Sequence, residues 1–77
     1  MFEYNICTQA DKDVFVKQCN ALEKRIPNIQ KGDLLSDVDG SQVQLYALDE
    51  KNISVHNSYY IDAVFIKSEI ELEHYFN

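Results

Sequence analysis

The chain has 77 residues, 13 of them acidic and seven basic, which gives a formal charge of −6. This length allows one domain, since chains rarely divide into domains below roughly 100 residues, and the apolar fraction of 45% excludes a disordered chain. The excess of acid disfavours direct nucleic-acid binding, which requires a basic face to neutralise phosphates.

An alternating segment opens the chain. Phe2, Tyr4 and Ile6 share one side of the stretch from Phe2 to Thr8, and the other side carries Glu3, Asn5 and Cys7. A period of two residues is typical of a strand with one buried face. We therefore predict a first strand over residues 2–8.

A stripe of apolar residues with helical spacing follows. It consists of Phe15, Cys19, Leu22 and Ile26. These positions recur after four, three and four residues, which is typical of the buried face of an amphipathic helix. Thr8 precedes the stripe as a candidate N-cap, and Pro27 disfavours the helical conformation in the residue before it. The pattern predicts a long helix from about Gln9 to about Ile26.

Four further segments have the composition of strands. They are Leu34–Asp39, Ser41–Leu48, Ile53–His56 and Tyr59–Lys67. The dipeptide Asp39-Gly40 between the first two predicts a type I′ turn, in which both central residues have positive φ. Tyr59–Lys67 is apolar on both faces, which is typical of a strand in the middle of a sheet.

The side chains of Ser41–Leu48 divide into two sets. One side carries Val43, Leu45 and Ala47, and the other carries Gln42, Gln44 and Tyr46. Because alternation separates a buried face from a solvated one, we expect the first set to face the core. Tyr46 is then exposed.

The order of elements predicts the fold. Ser68-Glu69-Ile70-Glu71 matches the capping-box sequence, so a short C-terminal helix through about Phe76 is expected. We predict a single α+β domain over residues 1–77, a two-layer sandwich of one long helix on an antiparallel sheet of four to five strands (β-α-β-β-β-β). This order resembles cystatin-like folds, but Gln42-Val43-Gln44-Leu45-Tyr46 lacks their protease-binding sequence Gln-x-Val-x-Gly, so the resemblance implies no function.

The cysteine count and the N-terminus favour a cytoplasmic protein. Cys7 and Cys19 allow at most one disulfide, and we expect both as reduced thiols. The first residues, Met1-Phe2-Glu3-Tyr4-Asn5, carry an acid where a signal peptide has basic residues. No apolar run approaches the roughly 20 residues of a membrane span.

Metal chemistry has little support in the sequence. Asp37-Val38-Asp39-Gly40 has part of the pattern of a calcium loop, but Leu35 and Tyr46 stand where that loop requires oxygen ligands. The soft ligands Cys7, Cys19, His56 and His74 are scattered singly, whereas structural zinc sites use close pairs. We expect no metal and no cofactor.

Catalysis also has weak candidates. Cys19 and His56 could form a nucleophile and base, but Cys19 lies on the apolar stripe, where a thiol is normally inert. Asp37 and Asp39 could act as paired carboxylates, although acid–base catalysis also requires a pocket that a small core rarely contains. We therefore expect a protein that is not an enzyme.

The negative charge is unevenly distributed along the chain. Residues 32–50 carry five acids and no Lys or Arg: Asp33, Asp37, Asp39, Asp49 and Glu50. Residues 68–77 carry three more: Glu69, Glu71 and Glu73. Such a charge can serve solubility alone, or it can attract a positively charged partner and confer specificity.

Two functions from different classes remain. The first is a binding protein, in its most specific form an inhibitor or immunity-type protein that masks a basic, nuclease-like partner. Its predicted contacts are Asp33, Asp37, Asp39, Asp49 and Glu50, with Tyr46 as an apolar anchor. Three further tyrosines exceed what so small a core needs, and they either belong to an interface or pack along the sheet edge: Tyr59, Tyr60 and Tyr75. The alternative is a structural or accessory subunit that forms a homodimer through a sheet edge. A small enzyme or ligand carrier would instead require a concave pocket with a titrating group of shifted pKa.

Overall fold

A computed structural model describes residues 1–76. The strands are β1 (Phe2–Cys7), β2 (Gln30–Ser36), β3 (Gln42–Leu48), β4 (Lys51–Ser58) and β5 (Ala63–Ser68), with one helix, α1 (Lys12–Arg25), after β1. Every neighbouring pair is antiparallel, and the strand order in the sheet is β1-β5-β4-β3-β2. The predicted α+β architecture is therefore confirmed, with β1 and β2 as the two edges of the sheet.

The predicted apolar stripe forms the centre of the core. Phe15, Cys19, Leu22 and Ile26 are at most 7% exposed, and they pack on Ile53, Val55, Val64 and Ile66 of β4 and β5. One face of the sheet is thus covered by α1, and we call the opposite face the outer face. Within residues 1–76 no helix is long and apolar enough to span a bilayer.

The helix begins later than predicted. Its N-cap is Asp11, whose Oδ1 accepts hydrogen bonds from the backbone N–H groups of Asp13 (2.9 Å) and Val14 (3.2 Å). The Asp11 N–H itself donates to Asn57 Oδ1 on β4 (3.0 Å), which ties the start of the helix to the sheet. Thr8 therefore lies in the β1–α1 connection and is not the cap.

The face of β3 that lies against the helix is the opposite of the one expected. Gln44, Tyr46 and Leu48 are 5%, 3% and 7% exposed and lie on the helix side. The residues expected in the core lie on the outer face: Val43, Leu45 and Ala47. The cause is the register with β4, which pairs Tyr46 with the buried Ile53.

A bulge changes the face of β1 midway. Tyr4 pairs with Ile66 on the helix side, but the register shifts between Asn5 and Cys7, and Cys7 then pairs with Val64. A bulge inserts one extra residue and so reverses the alternation beyond it. Cys7 takes the position that the sequence assigned to Ile6, which is 39% exposed.

The positive-φ turns are not where the sequence placed them. In the β2–β3 turn only Gly40 has positive φ (92°), and the Gly40 N–H donates to the Asp37 carbonyl (3.1 Å). In the β3–β4 turn the two linking residues, Asp49 and Glu50, both have positive φ (50° and 67°). The geometry expected at Asp39-Gly40 is thus adopted by two residues that both carry a Cβ.

The last two predicted elements are shorter in the structure. β5 begins at Ala63, because residues 59–62 form the turn after β4. The Ser68 hydroxyl donates to the Ile70 carbonyl (2.7 Å) and accepts from the Ile70 N–H (3.1 Å), so Ser68 forms a local turn and not a helix cap. Only a short 3-10 turn, Glu73–Tyr75, follows.

Candidate functional site

The five predicted acidic contacts do not form one surface. Asp37 and Asp39 lie at the β2–β3 turn, whereas Asp49 and Glu50 lie at the β3–β4 turn. These turns are at opposite ends of the seven-residue strand β3, which places them roughly 23 Å apart. The acids therefore form two separate groups, one at each end of β3.

Tyr46 does not serve as an exposed anchor, because it is buried beneath α1 at 3% exposure. Its hydroxyl donates to Glu23 Oε2 (2.7 Å), and Lys31 Nζ lies 3.4 Å from the same carboxylate oxygen. Burial, together with this hydrogen bond, raises the pKa of Tyr46 far above its ordinary value. The expectation of an exposed Tyr46 is wrong, and the residue links β3 to the helix.

Asp33 lies at an irregularity of β2. The register with β3 shifts between Lys31 and Leu34, so Gly32 and Asp33 together oppose Leu45. The buried Gln44 side chain stabilises this bulge, since its Nε2 donates to the carbonyls of Gly32 (2.9 Å) and Asp33 (3.3 Å). A Cβ on Gly32 would stand 3.2 Å from the Leu45 carbonyl oxygen, a tighter contact than most Cβ atoms make.

One end of the sheet presents a cluster of exposed apolar side chains. Val38 is 104% exposed, and Tyr59, Tyr60 and Ile61 are 48%, 90% and 56% exposed. The first belongs to the β2–β3 turn and the other three to the β4–β5 turn. We call this region the two-turn surface, defined by residues 37–39 and 59–61.

Specific contacts hold the two turns together. The Tyr59 ring lies against Gly40, within 3.3 Å of the point where a Cβ would stand. The Tyr59 N–H donates to Ser41 Oγ (2.9 Å). Because backbone and ring are both fixed to the neighbouring turn, the two-turn surface is one structural unit and not two independent loops.

Acids frame this apolar cluster. Asp37 Oδ1 accepts from the Val38 N–H (2.7 Å), and Asp39 Oδ1 accepts from the Ser41 N–H (2.9 Å). The hydrogen bonds from Ser41 lower the pKa of Asp39, so its carboxylate stays charged at neutral pH. Exposed aromatic and aliphatic side chains bordered by fixed charges are typical of a protein-binding surface.

The sequence pointed to only part of this surface. It indicated Asp37 and Asp39, and it singled out Tyr59 and Tyr60 as tyrosines beyond the needs of the core. It nevertheless placed residues 59–61 inside a strand, because Tyr and Ile favour β structure. The signal that separates turn from strand is Asp62, which has positive φ (55°) and whose Oδ1 accepts from the Ala10 N–H (2.8 Å). Asp tolerates this conformation better than most residues.

The candidate nucleophile and base are separated by the sheet. Cys19 lies on the helix side, where burial raises the pKa of its thiol. His56 lies on the outer face, stacked on Phe65 with ring centroids 4.6 Å apart, and its Nε2 is 2.8 Å from Ser54 Oγ. Burial, assisted by Lys67, lowers the pKa of His56. Cys19 and His56 therefore cannot form a catalytic pair.

A cleft of about 390 Å3 lies between β1, α1 and the C-terminal segment. Its lining includes Tyr4, Gln18, Leu72 and Phe76. The lining also includes Asn5, Ile6, Ile66 and Glu73, so apolar and polar side chains share it. Among residues 1–76, no group of three or more His, Cys, Asp or Glu side chains is placed to hold a metal ion.

Comparison with protein-family models, with curated proteins and with solved structures finds no match to this chain.

Proposed function

We propose that this protein is a small, non-enzymatic protein-binding domain that docks a basic partner protein through the two-turn surface. The observation that carries the proposal is the exposure of Val38 and Tyr60, at 104% and 90%, on two turns that are fixed to each other. Exposed Tyr side chains combine apolar area with a polar tip, and they are frequent among the residues that dominate binding energy.

The charge of the surface favours a basic partner. Asp37 and Asp39 border Val38, and the segment 33–39 contains three acids and no Lys or Arg. Complementary charge steers association and selects among partners, while the apolar centre supplies most of the affinity. The most specific form of the proposal is an inhibitor or immunity-type protein that covers the basic active site of a nuclease-like enzyme.

The proposal includes a cytoplasmic location without membrane contact, direct nucleic-acid binding or a cofactor. The cytoplasmic location rests on the two cysteines, which are both free thiols in the fold: Cys7 is partly buried, and Cys19 is buried. Thiols in this state are typical of a reducing compartment.

A matched pair of double variants tests the site. Asp37→Asn with Asp39→Asn, and Asp49→Asn with Glu50→Gln, remove the same charge from turns at opposite ends of β3. With the domain immobilised, capture of a basic protein from an extract of the source cells should fall about tenfold for the first variant and stay unchanged for the second. Equal capture by both variants would contradict the proposal.

A photo-crosslinking residue gives an independent measurement. Placed at Tyr60 it should form a covalent adduct with the basic partner, and placed at Glu50 it should not. Raising the salt concentration should weaken capture, because screening acts on exposed charges. Adducts formed only from position 50 would move the site to the opposite end of the sheet.

A second candidate function is self-association through β1. This edge exposes Met1, Phe2 and Ile6 at 86%, 44% and 39%, and β1 carries a single acid, Glu3. Light scattering would show a dimer that Phe2→Lys with Ile6→Lys converts to a monomer. A wild-type monomer at high concentration would remove this candidate.

A further inference from the structure

The edge of β2 that faces away from β3 is available to pair with another strand. Every residue of β2 is exposed, and Leu34 and Leu35 are each 51% exposed although they point to opposite faces of the sheet. Within residues 1–76, β2 pairs only with β3. The free edge of such a strand presents unpaired N–H and C=O groups that can pair with another strand.

The bulge determines which part of this edge is usable. The pairing of β2 with β3 is regular at Leu34, Leu35 and Ser36, which follow the irregularity at Gly32 and Asp33 in the chain. The Asp37 N–H then donates to the Ser41 carbonyl (2.8 Å), which extends the ladder into the two-turn surface. The regular edge is therefore short and leads directly to the proposed docking site.

The acidic charges along the edge of β2 favour a basic segment as the added strand. Asp33 and Asp37 flank the regular edge, and Asp39 follows two residues later. A second copy of this chain pairing edge to edge would bring these acids against their equivalents, which is unfavourable. A basic segment would instead place a cation near each carboxylate.

A depression beside the bulge supports the same occupant. It has a volume of about 310 Å3, and its lining includes Asp33, Leu45 and Ala47. Lys31 also lines it, but its ammonium group lies 3.4 Å from Glu23 Oε2 on the helix side. An apolar wall with an acid at its rim is suited to the long side chain of Lys or Arg, whose methylene groups pack while the charge remains solvated.

We propose that β2 accepts an extended basic segment of the partner protein as a sixth strand of the sheet. Basic side chains of this segment lie near Asp33 and Asp37, and an apolar side chain between them packs against Leu35. This inference rests on the proposed function, because the added strand belongs to the same partner that docks on the two-turn surface.

Peptide binding followed by NMR tests this inference on the intact protein. The probe is acetyl-Lys-Thr-Val-Thr-Lys-amide, and one control replaces both lysines by glutamate. A second control has N-methyl groups at alternate residues, which keep the charge but block main-chain pairing. The lysine probe should shift the amide signals of residues 33–37 and leave those of the other edge, Phe2–Cys7, unchanged.

The controls separate strand addition from simple attraction of charge. The N-methyl groups remove donors of main-chain hydrogen bonds, so N-methylation should weaken binding about tenfold or more. The glutamate peptide should not bind. Asp33→Asn with Asp37→Asn should weaken the lysine probe, and the distant pair Asp49→Asn with Glu50→Gln should not.

Several results would overturn the inference. Equal binding of the N-methylated peptide would show that no strand is added, and equal shifts in β1 would show that the edge is not selected. Shifts of residues 33–37 that depend on protein concentration without peptide would make a second copy the occupant. If crosslinking at Tyr60 succeeds while the peptides fail, the proposed function stands and the added strand does not.

Discussion

Two strands that both pair with β3 have opposite surroundings. On β4, Ile53, Val55 and Asn57 are at most 1% exposed, whereas every residue of β2 is exposed. The helix packs mainly on β4, and an ion pair between Glu23 and Lys31 links it to β2. Backbone pairing therefore holds β2 in place while burial holds β4, so one sheet separates the residues that stabilise the fold from those available for recognition.

A matched pair of leucine substitutions gives the largest expected difference between these regions. Leu22→Ala removes a side chain that is 0% exposed and faces β4, and should lower the free energy of unfolding by about 2–5 kcal/mol. Leu34→Ala, at 51% exposure on β2, should cost about 0.5 kcal/mol or less. Urea denaturation measures both. Similar losses would mean that β2 is covered in solution.

Tyr46 tests the junction between helix and sheet. Tyr46→Phe removes the hydroxyl that donates to Glu23, which is exposed enough to recover water, so the expected loss is about 1 kcal/mol. The raised pKa of Tyr46 means that the folded protein retains a proton that the unfolded chain releases above about pH 10. The free energy of unfolding of the wild type should then fall as the pH rises, by up to about 1.4 kcal/mol per pH unit and more steeply than that of Tyr46→Phe. Parallel alkaline unfolding curves would contradict this role.

The far end of β3 can be stabilised without touching the two-turn surface. Glu50 has a φ of 67°, a conformation that disfavours residues with a Cβ. Glu50→Gly should raise the free energy of unfolding by about 0.5–1 kcal/mol in thermal or urea denaturation. Glu50→Ala is the control, and a similar gain from it would show that charge and not backbone strain is relieved. Partner capture should be unchanged in both.

His56 gives the smallest effect, on the outer face. Its pKa is lowered by burial and by Lys67, against a smaller opposite effect of Glu3, so the folded state favours the neutral ring. The neutral His56 ring should therefore contribute fully to the free energy of unfolding above about pH 6.5, and this contribution should be lost as the pH falls below that value. Wild type should lose more stability than His56→Gln between neutral and mildly acidic pH. An equal loss would show that other groups cause the acid sensitivity.

The sequence predicts best where one physical signal dominates. The apolar stripe from Phe15 to Ile26 recurs with clear helical spacing, and the structure buries all four of its members. In β3 both sides carry apolar groups, so the register with β4 decided which side faces the helix, and Tyr46 was misplaced. Alternation within one strand contains no information about the neighbouring strand.

The candidate surface was predictable only in part. The separation of Asp39 from Asp49 follows from the predicted strand Ser41–Leu48 itself, because turns at its two ends must lie a strand length apart. The sequence singled out Tyr59 and Tyr60 but placed both in a strand and not in a turn. In the structure Tyr59 contacts Ser41 and Gly40, some 20 residues earlier in the chain, and tertiary contacts of this kind override local strand propensity.

The pairing of β1 with β5 has a consequence for the order of folding. Tyr4 is opposite Ile66, and α1, β2, β3 and β4 all lie between these two strands in the chain, so β1 finds its neighbour only after these four elements have been synthesised. Closing the long loop of chain between β1 and β5 costs about 2–3 kcal/mol more in chain entropy than closing a tight hairpin. Residues 2–7 should therefore join last, as a strand that docks on a nearly finished sheet.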